Sequence, residues 1–238
     1  MPLAKVFPPV VVFRSRTATL ATFGGKNAPL RSALAYAADN DATIAHLVLP
    51  PSSIEHPGFQ KIEQDPHQHK LHVDGVVVRP GQTFGMYSRD CPIGFLMDGR
   101  RNEGVLVHCG RPAMTPRKHA GAEHYTVITS ALNALTQRGS NLADLSVVIT
   151  AGICQDCFVH SVVTDVEMIQ PFYDWYPWSV NVDTGGLDLV RVITTQLTEA
   201  GVHPEKIKHD GFCTKEHSGL TSKRGGDKDS NLVLVMNH

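Results

Sequence analysis

Between residues 75 and 107 the chain holds four short apolar runs broken by turn signals, and this constrains its fold most. The runs are Gly75-Val76-Val77-Val78, Thr83 to Tyr87, Ile93 to Met97 and Gly104 to Val107, punctuated by Pro80-Gly81 and Asp98-Gly99. Runs of this length, rich in Val, Ile and Phe, fit strands and are too short for helices. Val10 to Phe13, Ile44 to Leu49, Leu145 to Thr150 and Leu232 to Met236 read as further strands. Three segments carry helical spacing instead. They are Ala28 to Asp39, Ala122 to Thr136 with Val127, Ile128, Ala131, Leu132 and Leu135 on one face, and Leu187 to Ala200, which stops at Gly201. Arg14 to Asn27 and Gly58 to His72 are polar and read as loops. Strands outnumber helices, and hairpin-like pairs stand among long helices, so the expectation is α+β rather than a doubly wound sheet. No internal repeat, low-complexity linker or run of like charge divides the chain, so residues 1–238 are expected to form a single domain.

The charge balance narrows the partners. Lys and Arg number 22 against 23 Asp and Glu, a net −1, which offers no broad surface for a polyanion and argues against nucleic acid. The apolar run Val6 to Phe13 holds Pro8 and Pro9 and ends on Arg14 and Arg16, so it is neither a signal-peptide core nor a membrane span. The chain therefore reads as cytoplasmic, as a monomer or homodimer, with its five cysteines reduced.

Three residues stand at strand boundaries and carry the chemistry: His56, Cys91 and His108. Imidazole and thiolate suit Zn²⁺ or copper, and three protein ligands leave one coordination position open, the arrangement of catalytic metal sites. Thirty-five residues separate His56 from Cys91 and seventeen separate Cys91 from His108, far more than a zinc knuckle spans. The fold would have to assemble such a site. The plainer alternative is that Cys91 is a small apolar side chain and that, with 13 histidines present, such triples arise by chance. His67-Gln68-His69 with His72 lies in a polar stretch and reads as solvated. Cys154-Gln155-Asp156-Cys157 alone suggests a redox dithiol or half a zinc knuckle, but no second Cys-x-x-Cys pair accompanies it. Arg16, Arg31, Lys223 and Arg224 are candidate anion contacts, since a guanidinium matches phosphate bidentately.

The stretch Val73-Asp74-Gly75-Val76-Val77-Val78-Arg79-Pro80-Gly81, then Ser88-Arg89-Asp90-Cys91-Pro92, then a strand ending at His108 resembles the laccase-domain family, also called multicopper polyphenol oxidoreductase or YfiH-like. Phe13-Arg14-Ser15-Arg16, Arg31-x-x-Leu34, Ile153 to Phe158, Asp210 to Thr214 and Ser222-Lys223-Arg224 are similar to further motifs of that family. Ile54, Arg89 and Cys109-Gly110-Arg111-Pro112 depart from it. The resemblance implies an α-β-β-α stack of mixed sheets, with His56, Cys91 and His108 as both metal ligands and catalytic residues, and a structural role for Cys154 and Cys157 near the pocket. His119-Ala120-Gly121 also matches the family's His-Ala-Gly core, so His119 is the alternative third ligand. His108 is preferred because a strand ends on it at the right distance from Cys91.

Two activities follow from the resemblance: copper-dependent polyphenol oxidation, and purine nucleoside chemistry, meaning phosphorolysis of adenosine, inosine or methylthioadenosine with adenosine deamination. A multicopper oxidase needs several clustered histidine sites, and one three-ligand site is visible. A single Zn²⁺ with an open position lowers the pKa of bound water to about 7, which suits the purine reading. Phosphorolysis adds an anion pocket, for which Arg16 and Arg224 are the candidates, and makes purine nucleoside and phosphate the expected ligands. Zn²⁺ is the expected cofactor, with copper possible. Two other readings remain from the residues themselves: a Cys/His hydrolase built on Cys91, and a metal-binding module without turnover.

Overall fold

The computed structural model describes residues 6–51, 60–119 and 122–238. Two six-stranded mixed sheets lie face to face. The first has the order β1 (Val11–Arg14), β2 (Ala18–Phe23), β16 (Asn231–Asn237), β7 (Thr83–Ser88), β3 (His46–Val48), β5 (Lys70–Leu71). The second runs β15 (Ile207–His209), β12 (Ser146–Ile149), β8 (Ile93–Asp98), β9 (Glu103–His108), β6 (Gly75–Val78), β4 (Ile62–Glu63). Two small hairpins, β10 (Arg117–His119) with β11 (Ala122–Tyr125) and β13 (Val180–Asn181) with β14 (Gly186–Leu187), stand outside them. The helices are α1 (Pro29–Asp39), α2 (Arg111–Met114), α3 (Val127–Gln137), α4 (Val166–Trp175) and α5 (Leu189–Glu199).

Period-two alternation sorts the side chains into three apolar layers. In β16, Val233 and Val235 face the second sheet, while Leu232, Leu234 and Met236 face α1 with Ala33 and Ala37. In β9, Leu106 joins the layer between the sheets, and Val105 and Val107 face α3 and α5. The order is therefore helix, sheet, sheet, helices, the α-β-β-α stack expected. Because both faces of each sheet are covered, the central strands read as continuous apolar runs.

Several elements differ from the sequence expectation. Arg14 to Asn27 is not all loop, since Ala18–Phe23 forms β2 with every residue buried. Thr19 and Thr22 gave that stretch a polar look, but Thr is β-branched and suits a strand. Pro80-Gly81 does not close a hairpin: it carries the chain from the second sheet to the first. The helix expected from Ala122 begins at Val127, behind a capping box in which the Thr126 hydroxyl accepts from the Thr129 amide at 3.4 Å. The residues before it form β11. Helix α4 was not anticipated, because Pro171 interrupts its sequence pattern.

Leu106 is fully buried between the sheets. Leu106→Ala is expected to destabilise the protein by about 2–5 kcal/mol, seen as a lower urea midpoint with an unchanged m value. A shift under about 1 kcal/mol would mean that the layer between the sheets is not a packed core.

Candidate active site at one end of the second sheet

The register of β8 against β9 pairs Ile93 with His108. The chain just before β8 is thereby set against the chain just after β9, and Cys91 meets His108. That pairing is extended by the Cys109 amide on the Pro92 carbonyl at 2.9 Å, and on the other side of β9 the His108 amide donates to the Asp74 carbonyl, just before β6, at 2.7 Å. The imidazole of His108 hydrogen-bonds the Cys91 side chain. Gly110 lies between them. A Cβ there would stand 2.6 Å from His108 Cε1 and 3.3 Å from Cys91 Sγ, so only glycine permits the approach.

Asp74 orients the imidazole. Its side chain is 1% exposed, and Oδ1 lies 3.3 Å from His108 Nδ1. Oδ2 accepts the Gln60 amide at 2.7 Å. Burial opposes a charge on His108, but the Cys91 charge, the Asp74 hydrogen bond and the hydrogen bond to Cys91 outweigh it, and the imidazole is pushed up to about 9. With Nδ1 committed to Asp74, Nε2 is the ring atom left for a metal. A carboxylate-held histidine beside a cysteine is a donor set that fits a borderline ion. His56, the third expected ligand, lies outside the described residues. The segment that carries it rejoins the described chain at Gln60, on the same carboxylate that holds His108.

Asp90, next to Cys91 and 8% exposed, gathers the other motifs. Its Oδ1 accepts the Thr214 hydroxyl at 3.1 Å, its Oδ2 the Arg224 amide at 3.0 Å, and its carbonyl the Ile153 amide at 2.8 Å. Arg224 is thus brought to this end. Its guanidinium donates to the Val159 carbonyl at 2.7 Å, lies 3.4 Å from His160 Nε2 and sits over the Phe158 ring at 5.3 Å. Arg111, at the start of α2, adds a second cation. Burial lowers its pKa from the ordinary value, the Cys91 charge opposes this, and Arg224 adds to it. His160 is buried, its Nδ1 has no partner, and its pKa is held below the ordinary value by burial and then by Arg224 and Arg111. Neither Arg111 nor His160 was singled out in the sequence. Arg111 was visible only as a departure in the residues after His108, and nothing near His160 in sequence marks it.

Arg16 is placed elsewhere. It lines a cavity of about 480 Å³ with Arg14, Lys206 and Lys208, beside Met97 at the far end of β8, roughly 20 Å along the strand from Cys91. Arg16 and Arg224 therefore do not share a pocket. His119 ends β10, outside both large sheets, and its side chain lies outside the described part of the chain. His67 is exposed beside Asp65 at 3.3 Å, and His69 Nδ1 bonds the Ala45 carbonyl at 2.8 Å.

All five cysteines are free. Cys109 is fully buried, and burial drives its thiol far up, so it is an inert core residue. Cys154 and Cys157 are not alone: Cys213 and Glu216 join them, with ligand atoms all within 4.8 Å, a set that can hold a metal ion. Burial first, then contact with Cys213, raises Cys154, and burial with the neighbouring thiols pushes Cys157 up to about 12. Burial acts on Cys213 too, but hydrogen bonds from the Cys154, Glu216 and Lys215 amides hold its thiol below the ordinary value. The sequence signal for the second half is Cys213-x-x-Glu216, which has the spacing of Cys154-x-x-Cys157 but carries a carboxylate where a second Cys-x-x-Cys pair would have its other thiol.

The fold recurs in solved structures. Bacillus licheniformis hypothetical protein YfiH superposes with a TM-score of 0.73 at 17% identity, over 93% of this chain and 92% of that one. YlmD from Geobacillus stearothermophilus gives 0.70 at 17% identity, over 97% and 100%. A Neisseria meningitidis protein gives 0.71 at 11% identity, over 95% and 98%. No curated protein sequence matches the chain. The family model described as multi-copper polyphenol oxidoreductase laccase matches residues 53–229, and the chain belongs to that family.

Proposed function

We propose that this protein is a metal-dependent purine nucleoside enzyme that splits the glycosidic bond with phosphate and deaminates adenosine at the same site. The observation that carries this reading is the gathering of Arg111, Arg224 and His160 beside the Cys91–His108 pair. Two guanidiniums that both depress His160 leave positive charge for an anion to offset, and a planar fork suits phosphate. His56, Cys91 and His108 are the residues that would hold a metal, with Zn²⁺ preferred and copper as competitor. The metal when bound supplies Lewis acidity. Asp74 fixes the ring of His108 through Nδ1, so that Nε2 faces the Cys91 side, and Arg224 and Arg111 hold phosphate where it can meet the sugar. His160, neutral at pH 7, accepts from Arg224 and takes a proton when an anion offsets the nearby charge.

A second reading rests on a specific arrangement: Cys91, His108 and Asp74 line up as nucleophile, base and orienting carboxylate. Incubation of metal-loaded protein with adenosine, inosine and methylthioadenosine, with and without phosphate, separates the cases. Phosphate-dependent base release is expected. Ester or amide cleavage by metal-free protein, with no base release, would establish the hydrolase. Phenol oxidation by copper-loaded protein inert to nucleosides would establish the oxidase of the family's description.

Asp74→Asn is expected to lower metal affinity at this end by roughly 10–100-fold, measured by competition with a chromogenic chelator. Unchanged affinity would leave the Asp74–His108 contact a folding interaction only. Arg224→Ala is expected to raise the phosphate KM by roughly tenfold or more and the nucleoside KM little, because it removes a charge-assisted contact of about 1.5–3 kcal/mol to the anion alone. Equal effects on both would place Arg224 away from phosphate. Because a bound anion raises the pKa of His160 from its depressed value, phosphate affinity should increase as the pH is lowered from neutrality and the ring gains its proton. His160→Gln should flatten that profile, after allowance for the titration of phosphate itself; an unaltered profile would remove His160 from the anion site.

A further inference from the structure

We infer that Cys154, Cys157, Cys213 and Glu216 form a second metal centre, a structural Zn²⁺ site separate from the Cys91–His108 end. Its four ligand atoms lie within 4.8 Å of one another. Ligands bound at about 2.3 Å to one tetrahedral ion stand about 3.8 Å apart, so the side chains are already gathered close to what an ion requires. Cys157 Sγ lies 3.5 Å from Glu216 Oε1.

The two halves are built alike. Each is a pair of ligands three residues apart on a tight turn. The Cys157 and Phe158 amides donate to the Cys154 carbonyl at 3.1 and 2.9 Å, and the His217 amide donates to the Cys213 carbonyl at 2.9 Å. The backbone amides of Lys215 and Glu216 point at the Cys213 sulfur, and the Cys154 amide reaches the same sulfur at 3.4 Å. Amides turned onto a sulfur are the support that a metal-bound thiolate receives, because they spread its charge. A parallel bridge between Gly152 and Cys213, closed by the Thr214 amide on the Gly152 carbonyl at 3.1 Å, brings the halves into register across the chain.

The donor set selects the ion. Three thiolates with one carboxylate suit Zn²⁺, which takes sulfur and oxygen together in a tetrahedron. Four protein ligands leave no open position, so the role is to fasten rather than to react. What would be fastened is the wall of the candidate active site. Thr214, beside Cys213, bonds Asp90, while Phe158 and His160, just after Cys157, pack against Arg224. The ion would clamp the two loops that place Arg224, whatever reaction occurs there.

The test measures bound zinc in tag-free protein by elemental analysis, with Co²⁺ replacement as a spectroscopic probe. Cys91→Ala protein is expected to retain about one Zn²⁺ and, with Co²⁺, to show thiolate-to-metal charge transfer and the intense visible bands of a tetrahedral site. Adding Cys213→Ser to that variant should remove both the zinc and the bands. Glu216→Gln, at an exposed position, guards against misfolding: it should keep the circular dichroism of the wild type and lower zinc affinity roughly tenfold or more. Chelation should lower the Tm of Cys91→Ala protein and leave that of the double variant unchanged. Cys91→Ala protein that holds no zinc and gives no such Co²⁺ spectrum would overturn the proposal. So would a disulfide within Cys154, Cys157 and Cys213 in the protein as purified under reducing conditions.

Discussion

A carboxylate removed from water must find a donor for each oxygen, and Asp90 meets that requirement with segments far apart in sequence. One oxygen takes the Thr214 hydroxyl and the other the Arg224 amide, while the backbone of the same residue takes the Ile153 amide. Three loops are drawn onto the residue that precedes Cys91. None of them belongs to a strand of the large sheets; the Gly152–Cys213 bridge joins two of them, and Asp90 adds the third. The placement of Arg224 beside Cys91 follows from this anchor.

The second sheet contributes a different kind of order. Cys91 and His108 are fixed by the register of β8 and β9, and a shift of one residue would turn either side chain to the opposite face. Asp74 then limits the rotation of the ring. The two ends of β8 consequently have different characters. One end collects a thiol, an imidazole and two guanidiniums, and the other opens beside Arg16, Lys206 and Lys208. A family description matched over residues 53–229 covers the first end and leaves Arg16 outside.

What the sequence made legible follows from how local each signal is. The runs at Val76 to Val78, Ile93 to Met97 and Val105 to Val107 have one strand-like reading, and the structure places them in one sheet. The α-β-β-α stack was expected from resemblance, and the layered cores agree with it. Strand β2 escaped because its burial on both faces removes the alternation that marks a half-buried strand. At the site, the meeting of Cys91 with His108 could be read from strand ends. The gathering of Arg111 and His160 could not, because it comes from charge and burial in three dimensions rather than from spacing. Cys213 and Glu216 lay in between: the repeated x-x spacing was present, but only tertiary contact shows that two half-motifs are one.

Strand β16 lies between β2 and β7 in the first sheet, bonded along its length to both. Its partners come from near the start and the middle of the chain, and it is the last strand in sequence order. During synthesis the β1–β2 hairpin and β7 must therefore wait, with unpaired edges and an uncovered apolar face, until this strand leaves the ribosome. The first sheet cannot assemble progressively from its beginning, and a pairing of such long range makes for slow closure. Synthesis of more than two hundred residues separates β2 from the partner that covers its edge.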